Sequence, residues 1–198
     1  VDLALAWAHE AAVVTGGRVR QGDPADLLTD AALVAAARLK MPMVLDLAAR
    51  LGIDNGFTSE AHLRAAIHLA RQVLQPIRDA FGSFSPNSVY RSQKLERALK
   101  NKPASWLSTS QHAKGEACDI EIVAKPTLEL AAWARDHLAE FDQIICECYD
   151  PAKGPNSGWV HISLKPPGAG ANRKQCLSYV RDKTSGRLVY VSGLTAMA

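Results

Sequence analysis

"STSQHAKGEACDIEI", residues 108–122, gathers a histidine, carboxylates, a cysteine and a glycine into one short stretch. His112 and Asp119 stand seven residues apart, with Gly115 between them. A tight loop running into a strand can turn two such side chains toward one ion, and a glycine permits the necessary backbone. The plain alternative is a hydrogen-bonded histidine–aspartate pair with a purely structural role. A metal would need a third donor, and His161 in "GWVHIS" is the candidate, a histidine alternating with apolar residues beside Trp159.

The surrounding pattern reads as α+β. "EACDIEIV" alternates as a strand, "PTLELAAWARDHLAEF" has helical spacing, and "DQIICECY" and "GWVHISLK" read as two strands separated by the turn-rich "DPAKGPNS". Upstream, "PNSVYRS" reads as a short strand, "QKLERALK" as a helix and "NKPASWLSTSQ" as a loop. Thr58 or Ser59 caps a helix with apolar positions Leu63, Ala66, Ala70, Val73, Leu74, Ile77 and Phe81, stopping at Gly82. Pro76 predicts a kink or break inside it. These residues, 58–198, form one expected domain with an antiparallel sheet and flanking helices. Residues 1–57 form an expected helical N-terminal segment. It contains "DPADLLTDAALVAAARLK", opened by Asp23 and Pro24, and "MVLDLAARLG", with "TGGRVRQGD" as a loop or turn that lacks a phosphate-cradle spacing.

Composition narrows the function classes. The 198 residues are 47% hydrophobic and 22% charged, ordinary for a packed domain. A net charge of +3 gives no argument for nucleic acid and suits an acidic envelope surface only weakly. No apolar run is long enough for a membrane span, so no membrane insertion is expected. "LALAWA" lacks a basic flank, so the reading expects no signal peptide. Cys118, Cys146, Cys148 and Cys176 show no disulfide framework and read as reduced, mostly buried thiols.

Ser110, His112, Gly115, Ala117 and Asp119 reproduce S-x-H-x-x-G-x-A-x-D and in this resemble the M15 zinc peptidases, the D-Ala-D-Ala carboxypeptidase and phage endolysin family. "SVYRS" is similar to that family's S-G-Y-R-S, "DQIICE" and "GWVHIS" to its closing strands, and "NRKQCL" to the N-R-x-Q tail of phage members. The resemblance runs from about residue 58 to about residue 178. It implies a hedgehog/D-Ala-D-Ala peptidase-like fold, a Zn2+ bound by His112, Asp119 and His161, and cleavage of peptide bonds in bacterial peptidoglycan. Two imidazoles and one carboxylate leave the fourth position that a catalytic zinc needs for water.

The family's glutamate three residues before the last histidine is replaced here by Gly158. Glu147 is the expected general base in its place. A hairpin closed around residue 154 would set Glu147 opposite His161 and turn Cys146 and Cys148 into the core. Glu121 and Asp150 are the rival bases, and Glu121 is also a candidate support for Asp119. The resemblance puts Arg91 over the substrate as a catalytic and binding residue, and Ser110 and Gln111 are further substrate contacts. Trp159 reads as a packing wall, and His9, His62, His68 and His137 as non-ligands. Val89 and the long "NKPASWL" segment depart from the family pattern beside the cleft.

The expected enzyme is a D,D- or L,D-type peptidoglycan peptidase of a bacteriophage. It would be made in the host cytoplasm and released through a membrane pore, or carried on the virion. The bond could be D-Ala-D-Ala, L-Ala-D-Glu or a cross-bridge. Two alternatives are an inactive virion structural protein and a zinc-dependent cell-wall-binding module.

Overall fold

A computed structural model describes residues 11–16, 18–23, 26–27, 30–36, 56–57, 59–123, 125–182 and 184–196. The expected helix at 43–52, Thr58 and His9 lie outside the described residues. In the N-terminal segment, residues 11–14, expected within a helical stretch, and residues 15–22, expected as a loop or turn, instead build a hairpin. Strand β1 (Ala11–Thr15) pairs antiparallel with β2 (Arg18–Gly22), and Thr15 faces Arg18 across a two-residue loop. The β-branched residues before "GG" favour this over helix, and Gly16 supplies the positive φ of 55° that a tight hairpin loop requires. Helix α1 (Ala31–Ala36) starts at its own cap, where Asp30 Oδ1 accepts from the Leu33 amide at 3.0 Å. Val13, Leu27 and Leu33 close a small core of their own.

Helix α2 (Glu60–Leu69) continues through a π-helical turn (Ala70–Leu74) into α3 (Gln75–Phe81). Pro76 therefore neither breaks nor ends the helix. The wider turn before it accommodates the missing amide and the ring that would press on the preceding turn. Gly82, at φ 82°, ends the helix where expected. "PNSVYRS" is not a strand; it is an extended segment with one bridge, Ser88 to Asp119. Ser92 caps α4 (Gln93–Leu99), accepting from the Leu95 amide at 3.3 Å. A short 3-10 turn (Gln111–Lys114) then leads through Gly115 into β3 (Ala117–Ile120), and α5 (Thr127–His137) follows.

The remaining strands are β4 (Gln143–Glu147), β5 (Trp159–Ser163), β6 (Gln175–Arg181) and β7 (Leu188–Ser192), ordered β3-β5-β4-β6-β7 in one sheet. The sheet is mixed rather than antiparallel throughout, because β6 pairs parallel with β4. Strand β6 returns from β5 on the far side of β4, and so runs in β4's own direction. Neither β6 nor β7 is read from the sequence as a strand. Alternation splits the sheet into two faces. Cys118, Ile120, Ile144, Cys146, Val160 and Ile162 are buried with Leu69, Val73 and Ile77 of the long helix and Leu130, Ala131 and Ala134 of α5. Asp119, His161, Ile145, Glu147 and Trp159 belong to the opposite face, which carries the candidate site. Cys146 enters the core as expected, whereas Cys148 lies past the strand at φ 57° and is only half-buried.

Gly115 locks the site loop against the long helix. Its φ is 73°, and a Cβ there would lie far inside contact distance of the His62 carbonyl and near Ala66. Gly115→Ala should therefore lower the unfolding free energy by more than about 1–2 kcal/mol, the left-handed penalty alone. Urea titration of both proteins measures this, and equal midpoints would show that the loop can yield.

Candidate metal centre

Three elements that are distant in sequence converge on one point. His112 comes from the 3-10 turn, Asp119 from β3 and His161 from β5, where Asp119 and His161 are direct cross-strand partners. All three residues are buried, and their donor atoms lie within 4.8 Å of one another. Asp119 Oδ1 is 3.1 Å from His112 Nε2 and 2.9 Å from His161 Nδ1, and the two nitrogens are 3.2 Å apart. Ligands around a tetrahedral ion with bonds of about 2.0–2.1 Å would stand roughly 3.3 Å apart.

The outer hydrogen bonds decide which atoms are available. His112 Nδ1 is 2.7 Å from the Val89 carbonyl, which can only accept, so Nδ1 carries the proton. Burial is the main cause holding the His112 pKa down, against the pull of Asp119, so the ring is neutral and Nε2 offers a lone pair. Gln111 donates its amide to Asp142 Oδ2 at 3.1 Å, which presents its carbonyl oxygen to His161 Nε2 at 3.3 Å. His161 Nε2 is then the donor and Nδ1 the free lone pair. On the other side of Asp119, the Arg91 guanidinium favours the charged carboxylate. Two nitrogen lone pairs and a carboxylate oxygen thus face one another with no proton between them. That arrangement is repulsive by itself and fits a cation. Its donor set suits zinc.

Asp119 has a second anchor. Arg91 Nη1 donates to Asp119 Oδ2 at 3.3 Å and to Ser88 Oγ at 3.3 Å, while its Nε donates to Glu96 Oε1 at 2.7 Å. Glu96 is fully buried and also accepts from Ser108 Oγ at 2.6 Å and Lys100 Nζ at 2.5 Å. Asp142 is equally buried and is held by Arg173 and, at 3.6 Å, by Lys165. Glu96, Ser108 and Asp142 carry no sequence signal of their own, and Val89 stands out in the sequence only as a departure from the family pattern. Asp142 and Arg173 both lie in segments that resemble the family, "DQIICE" and "NRKQCL", whose polar residues are the available signal. Gln111, expected on substrate, is already engaged with His161 and Asp142.

A cavity of 720 Å3 opens over these atoms, lined among others by Arg91, Ser110, Gln111, Glu147, Trp159 and Tyr190. The β4–β5 register is two residues away from the expected one. Glu147 faces Trp159, and Ile145 faces His161. A shift of two preserves the face, so Glu147 still joins the cavity, diagonal to His161. Burial is the main cause raising the Glu147 pKa; His161 opposes it, Asp119 adds to it, and a hydrogen bond from the Trp159 side chain eases it. Trp159 is therefore a partner of Glu147 as well as a wall. The rival acids do not line this cavity. Glu121 is exposed and accepts from Asn87 at 2.8 Å, and Asp150 caps a 3-10 turn through the Ala152 amide at 3.1 Å. His62, His68 and His137 have no place in the cluster.

Gly158 has a steric reason. At φ 70°, any Cβ would collide with the Glu147 carbonyl, so this hairpin admits no glutamate there. No described helix is long and apolar enough to cross a membrane.

Burial opposes ionisation of Asp142, but Arg173, with help from Lys165, holds its pKa down. The lowered folded value means that the carboxylate's stabilisation is present above the unfolded pKa of about 3.9 and is lost as pH falls through the folded value. Asp142→Asn should therefore be less stable than the parent at pH 7, with the gap narrowing below about pH 4. Urea unfolding at several pH values checks this, and a constant gap would contradict it.

Comparison with known proteins bears on both fold and site. A putative ABC transporter ATP-binding protein of Methanopyrus kandleri is 43% identical over 56 residues, 28% of this chain. The chain spans only 21% of that relative's length. No solved structure matches the chain. The family model described as Peptidase M15 matches residues 43–163, which include His112, Asp119, Glu147 and His161. With that match over more than half its length, the chain belongs to the M15 peptidase family.

Proposed function

We propose that this protein is a zinc-dependent, endolysin-like peptidase that cleaves peptide bonds in peptidoglycan stem peptides or cross-links. The observation that carries the reading is the buried meeting of His112 Nε2, His161 Nδ1 and Asp119 Oδ1 beneath an open cavity whose lining includes Glu147, on the strand next to that of His161. His112, Asp119 and His161 hold the ion. When bound, zinc supplies Lewis acidity toward a scissile carbonyl and acidifies water.

The protein's own groups do the remainder. Val89 and Gln111 fix the two imidazoles through their outer nitrogens, so the rings need not reorganise on loading. Glu147 takes the proton of the attacking water on its carboxylate and passes it to the leaving amine. Its raised pKa brings it nearer to that of the water it must deprotonate. The Trp159 side chain steadies the carboxylate. Arg91, held by Glu96, fixes Asp119 through one Nη, and its cavity-facing side stabilises negative charge developing on the carbonyl oxygen. Ser110 borders the same cavity and is placed to bind substrate backbone. The peptidoglycan substrate and phage origin follow from the S-x-H-x-x-G-x-A-x-D resemblance. Delivery through a membrane pore or on a virion fits that origin.

Each assignment has its own measurement. Dialysed protein should hold one zinc per chain, and His161→Ala should lose it; full retention in that variant would defeat the ligand set. Digested cell walls should show new amino and carboxyl ends within the peptide by mass spectrometry. New reducing sugar ends would indicate a glycosidase instead. Wall protein that binds zinc but releases nothing would favour the binding-module alternative.

Glu147→Gln should keep zinc and fold while losing about 100- to 10,000-fold in turnover. Because the base must be ionised, activity should fall on the acid side of the parent's pH profile. Near-normal turnover in Glu147→Gln would remove the base assignment.

A further inference from the structure

The cleft-facing side of the sheet continues past the metal centre onto β6 and β7. Both strands lie beyond residue 163, where the family match ends. Register carries the face outward: Glu147 neighbours Tyr179, and Tyr179 is opposite Tyr190. The two tyrosine rings meet with centroids 4.5 Å apart at 31°. Tyr190 nevertheless remains 59% exposed on an edge strand and lines the same cavity as His161 and Glu147. Exposing a large ring at the mouth of a cleft costs apolar burial that a core position would regain.

We propose that Tyr179 and Tyr190 form a ring-stacking subsite for a pyranose of the substrate's glycan portion; this rests on the peptidoglycan reading above. A pyranose presents one flat C–H face together with hydroxyls at its rim. The site offers the matching mixture: aromatic faces and two phenolic hydroxyls, with Ser192 opposite Leu177 and Arg181 opposite Leu188 on the same face. An apolar side chain would have no use for the phenolic hydroxyls. The lateral steps β5-β4-β6-β7 are about 4.8 Å each, so Tyr190 lies roughly 15 Å from His161 along the backbone surface. The subsite therefore takes a group several bonds away from the reacting carbon. It acts on which substrates are held, and not on the chemistry itself.

Binding to the metal-stripped full chain tests this without turnover. The two probes are a disaccharide-bearing stem peptide, released from purified peptidoglycan by a glycosidase, and the same peptide without sugars. Titration calorimetry should give the sugar-bearing probe an advantage of about fivefold, the order of one ring contact. Tyr190→Phe should retain that advantage, because the ring remains, and Tyr190→Ala should abolish it. Equal affinity of the parent protein for both probes would overturn the subsite. So would an advantage that survives in Tyr190→Ala, or an equal weakening of both probes in that variant, which would assign the platform to peptide. Hydrolysis with zinc restored is read separately. A binding preference without hydrolysis supports the subsite while defeating the peptidase reading, and hydrolysis without a preference does the reverse.

Discussion

Everything at the centre depends on the Asp119 carboxylate being divided between its two oxygens. Oδ1 faces the two imidazoles, while Oδ2 belongs to Arg91, which Glu96 in turn restrains. Removing one member of a buried charged set leaves the others uncompensated, typically at a cost of about 3–5 kcal/mol. The network is therefore part of the fold as much as of the site. It also explains the bridge between Ser88 and Asp119, which brings the "SVYRS" segment close enough for both its arginine and its Val89 carbonyl to serve the centre.

Two glycines shape the site by excluding side chains. Gly115 lets the histidine-bearing turn lie against the long helix, and Gly158 lets the β4–β5 hairpin close tightly over the Glu147 carbonyl. The second has a chemical counterpart. The position that cannot carry a carboxylate lies next to the strand that does carry one, so an acid from β4 occupies the cavity instead. Trp159, directly opposite, both walls the cavity and steadies that acid.

Much of this was legible in sequence for a definable reason. The three metal-binding candidates and the strands carrying two of them follow from spacing and alternation, which are local properties. Glu147 came to the correct face although its pairing was read two residues off, because a strand's side chains repeat every two residues. A one-residue error would have reversed the result. What escaped the reading was long-range. The hydrogen bonds of Gln111, Asp142 and Glu96 join residues whose proximity no periodicity announces. The parallel position of β6 depends on which edge of β4 remains open. The N-terminal hairpin was hidden by an alanine-rich context that favours helix on propensity alone.

The parallel β4–β6 pairing and the split origin of the centre set the order in which the molecule can assemble. His112 and Asp119 are neighbours in sequence, but His161 lies 42 residues beyond Asp119. It reaches them only when β5 docks between β3 and β4. Of the three donors, the unfolded chain holds only His112 and Asp119 close together, and chain-closure entropy opposes recruitment of His161. Bringing the three donors together is thus tied to completion of the three-stranded centre of the sheet, whereas the β6–β7 ribbon lies outside it. Evolution could lengthen, exchange or redecorate that ribbon without dismantling the strands that carry Asp119 and His161.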